Sequence, residues 1–233
     1  MKIALLGYGK MGKIIEQIAL SRGHEIVIKA TKDSKYTITD ADVAIEFSIP
    51  NAAVENISNC INHQIPVVSG TTGWLEHYDK LVSMCKEKNG AFLYASNFSL
   101  GVNIFFEINK QLAKMMSHFE QYEVSMEEIH HTQKLDKPSG TAISLAEGII
   151  VEHAKYTDWK LDGTVEKNIP IFSKRLPDVP GTHIITYKSK VDSIRISHEA
   201  HSREGFALGA VLAAEWIMNK KGVFSMKDVL NIG

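Results

Sequence analysis

The 233-residue sequence predicts an α/β protein in two parts, an N-terminal part built on a parallel sheet and a second, α+β part with an open mixed sheet. Three observations lead there. Short apolar runs alternate with helix-periodic segments through the first hundred residues. A glycine-rich turn separates the first run from the first periodic segment. Beyond residue 180, two long strand-like stretches follow one another with no helix between them.

In chain order, Lys2 to Leu6 is an apolar run closed by Gly7, and Met11, Ile14, Ile15, Ile18 and Ala19 recur at helical spacing from Lys10 to Arg22. Glu25–Ala30 (EIVIKA) and Asp42–Phe47 (DVAIEF) read as the second and third strands. Helices are expected near Ala52–Asn62 and Leu75–Lys88, alternating with strand-like PVVSG and AFLYAS. Repeated strand–helix–strand units imply right-handed crossovers and a parallel sheet covered on both faces. After Asn97 the rhythm changes. A helical run from Val102 to His118 leads into YEVSMEEIHH, and THIITYKSKVDSIRISHEAH reads as two strands joined at a polar turn. Tyr156 to Pro180, with prolines 170, 177 and 180, reads as an irregular connection. The apolar helix GFALGAVLAAEWIMNK is long enough to return to the first part, so the expected domains are 1–101 with 204–233, and 102–203.

The 26 basic and 27 acidic side chains nearly cancel, so nothing draws the chain as a whole to nucleic acid or to an anionic membrane, and an anionic ligand needs local groups to hold it. Cys60 and Cys85 stand far apart without metal-ligand spacing, which fits a reducing compartment and points to the cytoplasm. The N-terminal MKIALLGYGKMG is broken by glycines and a lysine too early for a signal segment or a membrane span, and reads as a buried strand.

Gly7, Gly9 and Gly12 form a GxGxxG turn, with Lys10 and Met11 inside it, between a predicted strand and helix. The first glycine permits the tight turn, the second lets backbone approach a pyrophosphate, and the third allows close helix packing. The helix N-terminus offers free N–H groups to the phosphates. The first part therefore reads as a Rossmann dinucleotide-binding domain. At the end of the second strand, where an acid would favour NADH, stand Lys29, Lys32 and Lys35. They lean toward the 2′-phosphate of NADPH, while Asp33 could take a hydroxyl instead, so NADPH and NADH both stay open.

The stretch EEIHHTQKLDKPSGTA concentrates polar chemistry: His130 and His131 after a strand, Lys134 four residues beyond His130, then Ser139 at the N-cap position of a helix. The amides of Gly140 and Thr141, with the hydroxyls of Ser139 and Thr141, make an anion pocket suited to a carboxylate. Histidine delivers protons near neutral pH, and lysine supplies a fixed cation or a proton. Adjacent histidines on a strand point to opposite faces, which argues against a shared metal. Either only one of them faces a ligand, or the strand ends at the first.

The segment Glu128–Ala142 resembles the signature of the bacterial 4-hydroxy-tetrahydrodipicolinate (dihydrodipicolinate) reductases, E-x-H-H-x-x-K-x-D-A-P-S-G-T-A, at ten of eleven fixed positions; Lys137 replaces the usual alanine. GTTG at Gly70–Gly73, SNFSLGVN at Ser96–Asn103 and HEAHSREGFALGA at His198–Ala210 extend the resemblance along the chain. It implies an NADPH- or NADH-dependent reductase of lysine and diaminopimelate biosynthesis, a homotetramer formed through the sheet of the second domain, and a dicarboxylate substrate. By motif, His130 is the acid/base residue and Lys134 contacts substrate and can donate a proton. His131, Ser139, Gly140 and Thr141 hold the substrate carboxylates, and Arg203 sits near the substrate at a hinge. Gly70, Thr71 and Thr72 lie against the nicotinamide and its ribose, Phe47 near the pyrophosphate or nicotinamide, and Ser96, Asn97 and Phe98 along the cofactor cleft.

Three features depart from the family pattern. The glycine turn is one residue shorter than G-x-x-G-[RK]-M-G, RLPDVPGTH lacks a glycine pair after its arginine, and the gap between the second and third strands is reduced. Two rival readings are a reductase or dehydrogenase of another amino-acid-derived imine, such as an aspartate dehydrogenase, and a non-catalytic dinucleotide sensor. The first would not need the whole His-His-Lys and Ser-Gly-Thr set, and the second would have lost the proton donor.

Overall fold

The computed structural model describes residues 1–31 and 34–232, so Lys32, expected to face the cofactor, lies outside the described residues. The chain divides into two compact units, Met1–Leu100 with Glu204–Gly233, and Gly101–Arg203.

The first unit contains β1 (Lys2–Leu6), α1 (Lys10–Ser21), β2 (Glu25–Ala30), β3 (Val43–Glu46), α2 (Pro50–Asn62), β4 (Val67–Ser69), α3 (Tyr78–Glu87) and β5 (Ala91–Tyr94). Six parallel strands stand in the order β11-β5-β4-β3-β1-β2, where β11 is Gly222–Phe224 near the C-terminus. Four consecutive residues of β1 are buried because both faces of the sheet are covered. Ile3, Leu5, Val43, Ile45 and Leu93 pack with Ile15 and Ala19 of α1 and with Ala207, Ala210, Val211 and Ala214 of α6 (Glu204–Ile217). Ala4, Leu6, Ala44, Val67 and Phe92 pack with Ile57, Ile61 and Leu81 of α2 and α3. Each such large aliphatic side chain contributes about 1.5–3 kcal/mol on burial. Helix α6 approaches so closely that a Cβ at Gly209 would stand 1.7 Å from the Phe98 carbonyl oxygen. From β1 the chain runs outward to β2 and then crosses to β3 on the other side, which opens a crevice at the C-terminal ends of β1 and β3.

The second unit holds α4 (Leu100–Met116, which begins at the boundary), β6 (Glu123–His130), α5 (Gly140–Glu152), β7 (Asp158–Leu161), β8 (Asn168–Arg175), β9 (Gly181–Lys188) and β10 (Ser193–Ala200). Its sheet runs β10-β9-β6-β8-β7. Strand β9 is antiparallel to its neighbours, and the β6–β8 and β7–β8 pairs are parallel, so the sheet is mixed. Helices α4 and α5 cover one face through Phe105, Ala113, Leu145 and Ile149, packed on Val124, Met126, Ile171, Ile185 and Tyr187. By strand alternation the other face carries Glu127, Ile129, Phe172, Lys174 and Ile184, and Phe172 is 41% exposed.

Two differences from expectation have local causes. The supposed connection from Tyr156 to Pro180 contains β7 and β8. Pro170 is the third residue of β8 and is matched to Lys160 of β7, while the β6 ladder begins only at Ile171, so the proline stands where the strand is paired on one side alone. The C-terminal segment adds β11 and α7 (Met226–Leu230) beyond the apolar helix. Three residues carry no readable period, and β11 exists because β5 offers it an edge. Among the described residues no helix is long and apolar enough to cross a membrane.

Candidate active site

In the first unit the three glycines of the turn stand in different surroundings. Gly7 has φ +102, its amide donates to Ala30 O at 3.0 Å, and a Cβ on it would lie 2.1 Å from Phe47 O. A Cβ on Gly12 would lie 2.5 Å from Gly7 O, which is how α1 comes to sit on the turn. Gly9, the N-cap of α1, has nothing within 4 Å of its missing Cβ. The first turn of α1, Lys10 to Gly12, has no acidic residue and no side-chain cap, so its amides face open space at the β1/β3 switch point. This cradle fits a dinucleotide pyrophosphate. Lys29 ion-pairs with Glu16 of α1, and Tyr8, within the turn, donates to the same carboxylate. Lys29 is thus already neutralised by the protein.

Beside the turn, a buried carboxylate organises the next loops. Glu46, at the end of β3, accepts from Ser69 Oγ at 2.6 Å, Thr71 Oγ1 at 2.9 Å and the Ser48 amide at 3.0 Å. The Ser48 amide also donates to Thr71 Oγ1 at 2.8 Å. Phe47 lies over Gly70, where a Cβ would come within 2.3 Å of the ring, and Phe98 supports Phe47 with ring centroids 5.4 Å apart. Phe98 is 2% exposed and belongs to the core, so its ring braces Phe47 from behind. Thr72 and Ser96 are exposed, and the Asn97 side-chain oxygen accepts from the Ser99 amide at 2.9 Å.

In the second unit β6 ends at His130, and His131 already lies in the following loop, so the strand stops at the first of the two histidines. The alternation that puts His130 on the helix-covered face puts Glu128 beside it. Glu128 Oε2 lies 3.1 Å from His130 Nδ1, a charge contact whose alignment falls short of a good hydrogen bond, and accepts from the Ser139 amide at 3.1 Å. Oε1 accepts from Ser173 Oγ at 2.7 Å and from Arg175 Nη2 at 3.0 Å. Arg175 also donates to the carbonyls of Lys134 (3.2 Å) and Asp136 (2.6 Å), pinning the loop that carries Lys134. Lys134 Nζ is 2.8 Å from Asp136 Oδ2, and the ammonium holds that carboxyl below its usual range.

Ser139 caps α5 by accepting from the Ala142 amide at 3.2 Å, and its Oγ is also 3.1 Å from His183 Nε2. Its buried hydroxyl is therefore turned inward, which leaves Gly140 and Thr141 as the open part of the predicted anion pocket; a Cβ on Gly140 would meet nothing within 4 Å. Arg203 is exposed at the end of the unit.

Burial alone would raise the Glu128 carboxyl. The contacts from His130, Ser139, Ser173 and Arg175 together outweigh it and hold the group ionised, far below the ordinary carboxylate range. Glu128, His130 and His183 bring potential metal-ligand atoms within 4.8 Å of one another, but Arg175 already supplies the positive charge and the carboxylate oxygens already have protein donors. Burial, then the neighbouring His130, push His183 down to about 3, so its ring stays neutral. An unfolded chain protonates this histidine near pH 6.5 and the native chain does not until about pH 3, so the unfolded state binds more protons between those values and stability is lost as the pH drops from about 6.5 toward 3. Relative to His183→Gln, the wild type is expected to lose up to about 1.4 kcal/mol more per pH unit below about 6.5. The comparison is read from urea midpoints between pH 7 and pH 4. His153, also lowered by burial and away from His183, contributes to both proteins and cancels in the difference.

Residues 20–98 match the family model described as dihydrodipicolinate reductase, N-terminus, and residues 101–230 the model described as dihydrodipicolinate reductase, C-terminus. A 4-hydroxy-tetrahydrodipicolinate reductase from Christiangramia forsetii is 56% identical over 99% of this chain and 98% of its own length. The chain belongs to the dihydrodipicolinate reductase family. Its enzyme class is that of the family, NAD(P)H-dependent oxidoreductases. A relative from Thermosipho africanus with the same name is 33% identical over the same shares of both chains. A dipicolinate-bound dihydrodipicolinate reductase from Paenisporosarcina sp. has the same fold, with a TM-score of 0.79 at 21% identity over 97% of each chain. Aspartate dehydrogenase from Thermotoga maritima shares the fold more loosely, with a TM-score of 0.51 at 15% identity over 96% of this chain and 99% of that one.

Measured against the family signature, the sequence leaves the buried supports without a role: Glu46 in the first unit, and Glu128, Ser173, Arg175 and His183 in the second. One signal was available. In the strand pattern Val124-x-Met126-x-Glu128-x-His130, an acid occupies an inward position beside an inward histidine.

Proposed function

We propose that the chain reduces 4-hydroxy-tetrahydrodipicolinate (dihydrodipicolinate) to tetrahydrodipicolinate in the diaminopimelate route to lysine, using NADPH or NADH. The family and the 56% identical relative support this reading. The observation that carries it is the site of the second unit, where an imidazole, an ammonium-bearing loop and the open N-terminus of a helix are tied to one buried carboxylate. That set suits a dianionic ring that must gain a proton.

The first unit takes the dinucleotide. Gly7, Gly9, Lys10, Met11 and Gly12 receive the pyrophosphate, with Lys32 at the adenosine end. Phe47, Gly70, Thr71 and Thr72 lie along the nicotinamide half with Ser96, Asn97 and Phe98, the last from within the core. Bound NAD(P)H supplies a hydride from nicotinamide C4 to the conjugated imine of the substrate. The second unit holds the dicarboxylate with the amides of Gly140 and Thr141, with Lys134 and His131, and with Arg203 nearby; Ser139 keeps the helix end in place. Loss of the 4-hydroxyl as water gives the conjugated imine, hydride addition to it leaves an electron-rich enamine, and His130 or Lys134 delivers the one proton that completes the reduction.

The uncovered sheet face bearing Ile129 and Phe172 is the surface through which four copies assemble, and light scattering reads that mass directly. With a dicarboxylate substrate and no call for nucleic acid or membrane, the enzyme works in the cytoplasm. The deciding experiment follows NADPH and, separately, NADH oxidation with substrate generated in situ from pyruvate and aspartate semialdehyde by a coupling synthase. Rapid synthase-dependent oxidation is expected, and it ranks the cofactors. Cofactor binding without oxidation would favour another imine substrate or a sensor.

A further inference from the structure

We propose that Glu128 is the positioning residue of this site, one carboxylate that sets both the imidazole of His130 and the anion-binding end of α5. The inference rests on the reading of His130 as an acid/base group and of α5 as a carboxylate holder.

The two carboxylate oxygens of Glu128 have different partners. A purely structural ion pair with Arg175 would need Oε1 alone, and Oε1 is filled by Arg175 and Ser173. Oε2 points instead at His130 Nδ1 and at the amide of Ser139, the N-cap of the helix read as the carboxylate holder, both at 3.1 Å. Glu128 is 0% exposed, and an ionised carboxylate so placed persists only if several donors converge on it. A carboxylate 3.1 Å from Nδ1 favours hydrogen on that nitrogen, and in this proposal Nε2 is the exchanging atom. Room for Nε2 comes from Gly181, where a Cβ would stand 3.0 Å from it.

Of the two buried histidines beside Glu128, His130 is the one in close contact with the carboxylate. The His183 ring stands 5.1 Å away, but burial keeps it neutral, and its Nε2 contacts the Ser139 hydroxyl while lying 3.9 Å from Glu128 Oε2. The groups that bear on the pair are Arg175 of β8, which donates to Glu128, His198 of β10, matched to His183, and Lys134 of the loop with its partner Asp136; Glu127 and Lys174 pair with each other on the opposite face of the sheet. Arg175 balances one negative charge, and Glu128 spans the proton donor and the substrate-binding helix, so it fixes the distance between them.

The test uses the intact enzyme and Glu128→Gln, with Ser173→Ala as a control that removes an Oε1 partner only. Glu128→Gln is expected to lower kcat about 10- to 100-fold and to move the alkaline limb of the kcat–pH profile to lower pH, because an imidazolium is easier to deprotonate without an adjacent negative charge. Its affinity for NADPH should stay at the wild-type value, and Ser173→Ala should leave the profile in place. If Glu128→Gln does not fold, nitrogen NMR of the histidine-labelled wild type decides, with His130 assigned by the signals missing in His130→Gln. Hydrogen on Nδ1 is the expected tautomer, and hydrogen on Nε2 alone would overturn the proposal. So would a folded Glu128→Gln with unchanged kcat, or with lower activity and an unmoved profile. An inactive wild type defeats the underlying reading instead, while the tautomer still reports on Glu128.

Discussion

Lys134→Ala is expected to lower kcat/KM for the reduction by roughly 10²- to 10⁴-fold while leaving NADPH affinity within about twofold of wild type. Lys134 lies in the second unit, on the loop that Arg175 pins through two backbone carbonyls, so the loop should keep its course when the side chain is cut back. What disappears is a partly buried ammonium that Asp136 holds at 2.8 Å, one the substrate carboxylate can recruit. Lys134→Arg separates the two parts such an ammonium can play. A guanidinium keeps the positive charge but does not release its proton near neutral pH. Recovery of KM without recovery of kcat in Lys134→Arg would assign proton donation to Lys134; recovery of both would leave donation to His130. Wild-type kcat/KM in Lys134→Ala would remove this residue from the mechanism altogether.

How much of this was legible in the sequence depended on how locally each feature is encoded. The first unit announces itself because its strands are buried on both faces, so Ile3 to Leu6 and Val43 to Ile45 stay apolar without alternation, and the glycine spacing falls between β1 and α1. Strand β11 could not be read that way. It is three residues long and owes its existence to the edge of β5, more than a hundred residues earlier. Strand β8 was hidden by Pro170, since a proline argues against a strand until the register shows that it stands where only one neighbour is paired. The same contrast holds in the site. His130, Lys134 and Ser139 lie within one short motif and could be grouped by eye. Ser173 and Arg175 reach Glu128 from 45 and 47 residues away, a closeness that only the pairing of β6 with β8 creates. Sequence alternation could place Glu128 beside His130, but it could not say that the carboxylate would be buried and kept ionised by four converging partners.

Gly7→Ala is expected to strike the fold and the cofactor site together. At φ +102 an alanine costs about 1–3 kcal/mol in backbone strain. Its methyl would also stand 2.1 Å from the Phe47 carbonyl oxygen, a backbone atom that no side-chain rotation can move aside. Overpacking of this kind adds about 1–3 kcal/mol, so the melting temperature should fall by on the order of 10 °C. Relief requires β1 and β3 to part at their C-terminal ends, which is where the dinucleotide cradle lies, and NADPH affinity should fall at least about tenfold. Gly9→Ala makes the informative contrast. Gly9 has φ −91, which an L-residue adopts freely, and open space around its missing Cβ. The protein alone should tolerate it to within about 1 kcal/mol, the usual difference between glycine and alanine at an N-cap. A methyl there intrudes only when a pyrophosphate approaches, so Gly9→Ala should melt near the wild-type temperature and still bind NADPH at least tenfold more weakly. A stable Gly9→Ala that binds NADPH normally would show that the phosphates do not rest on this turn. The empty space at Gly9 would then be an ordinary surface feature, and the strain at Gly7 a matter of folding alone.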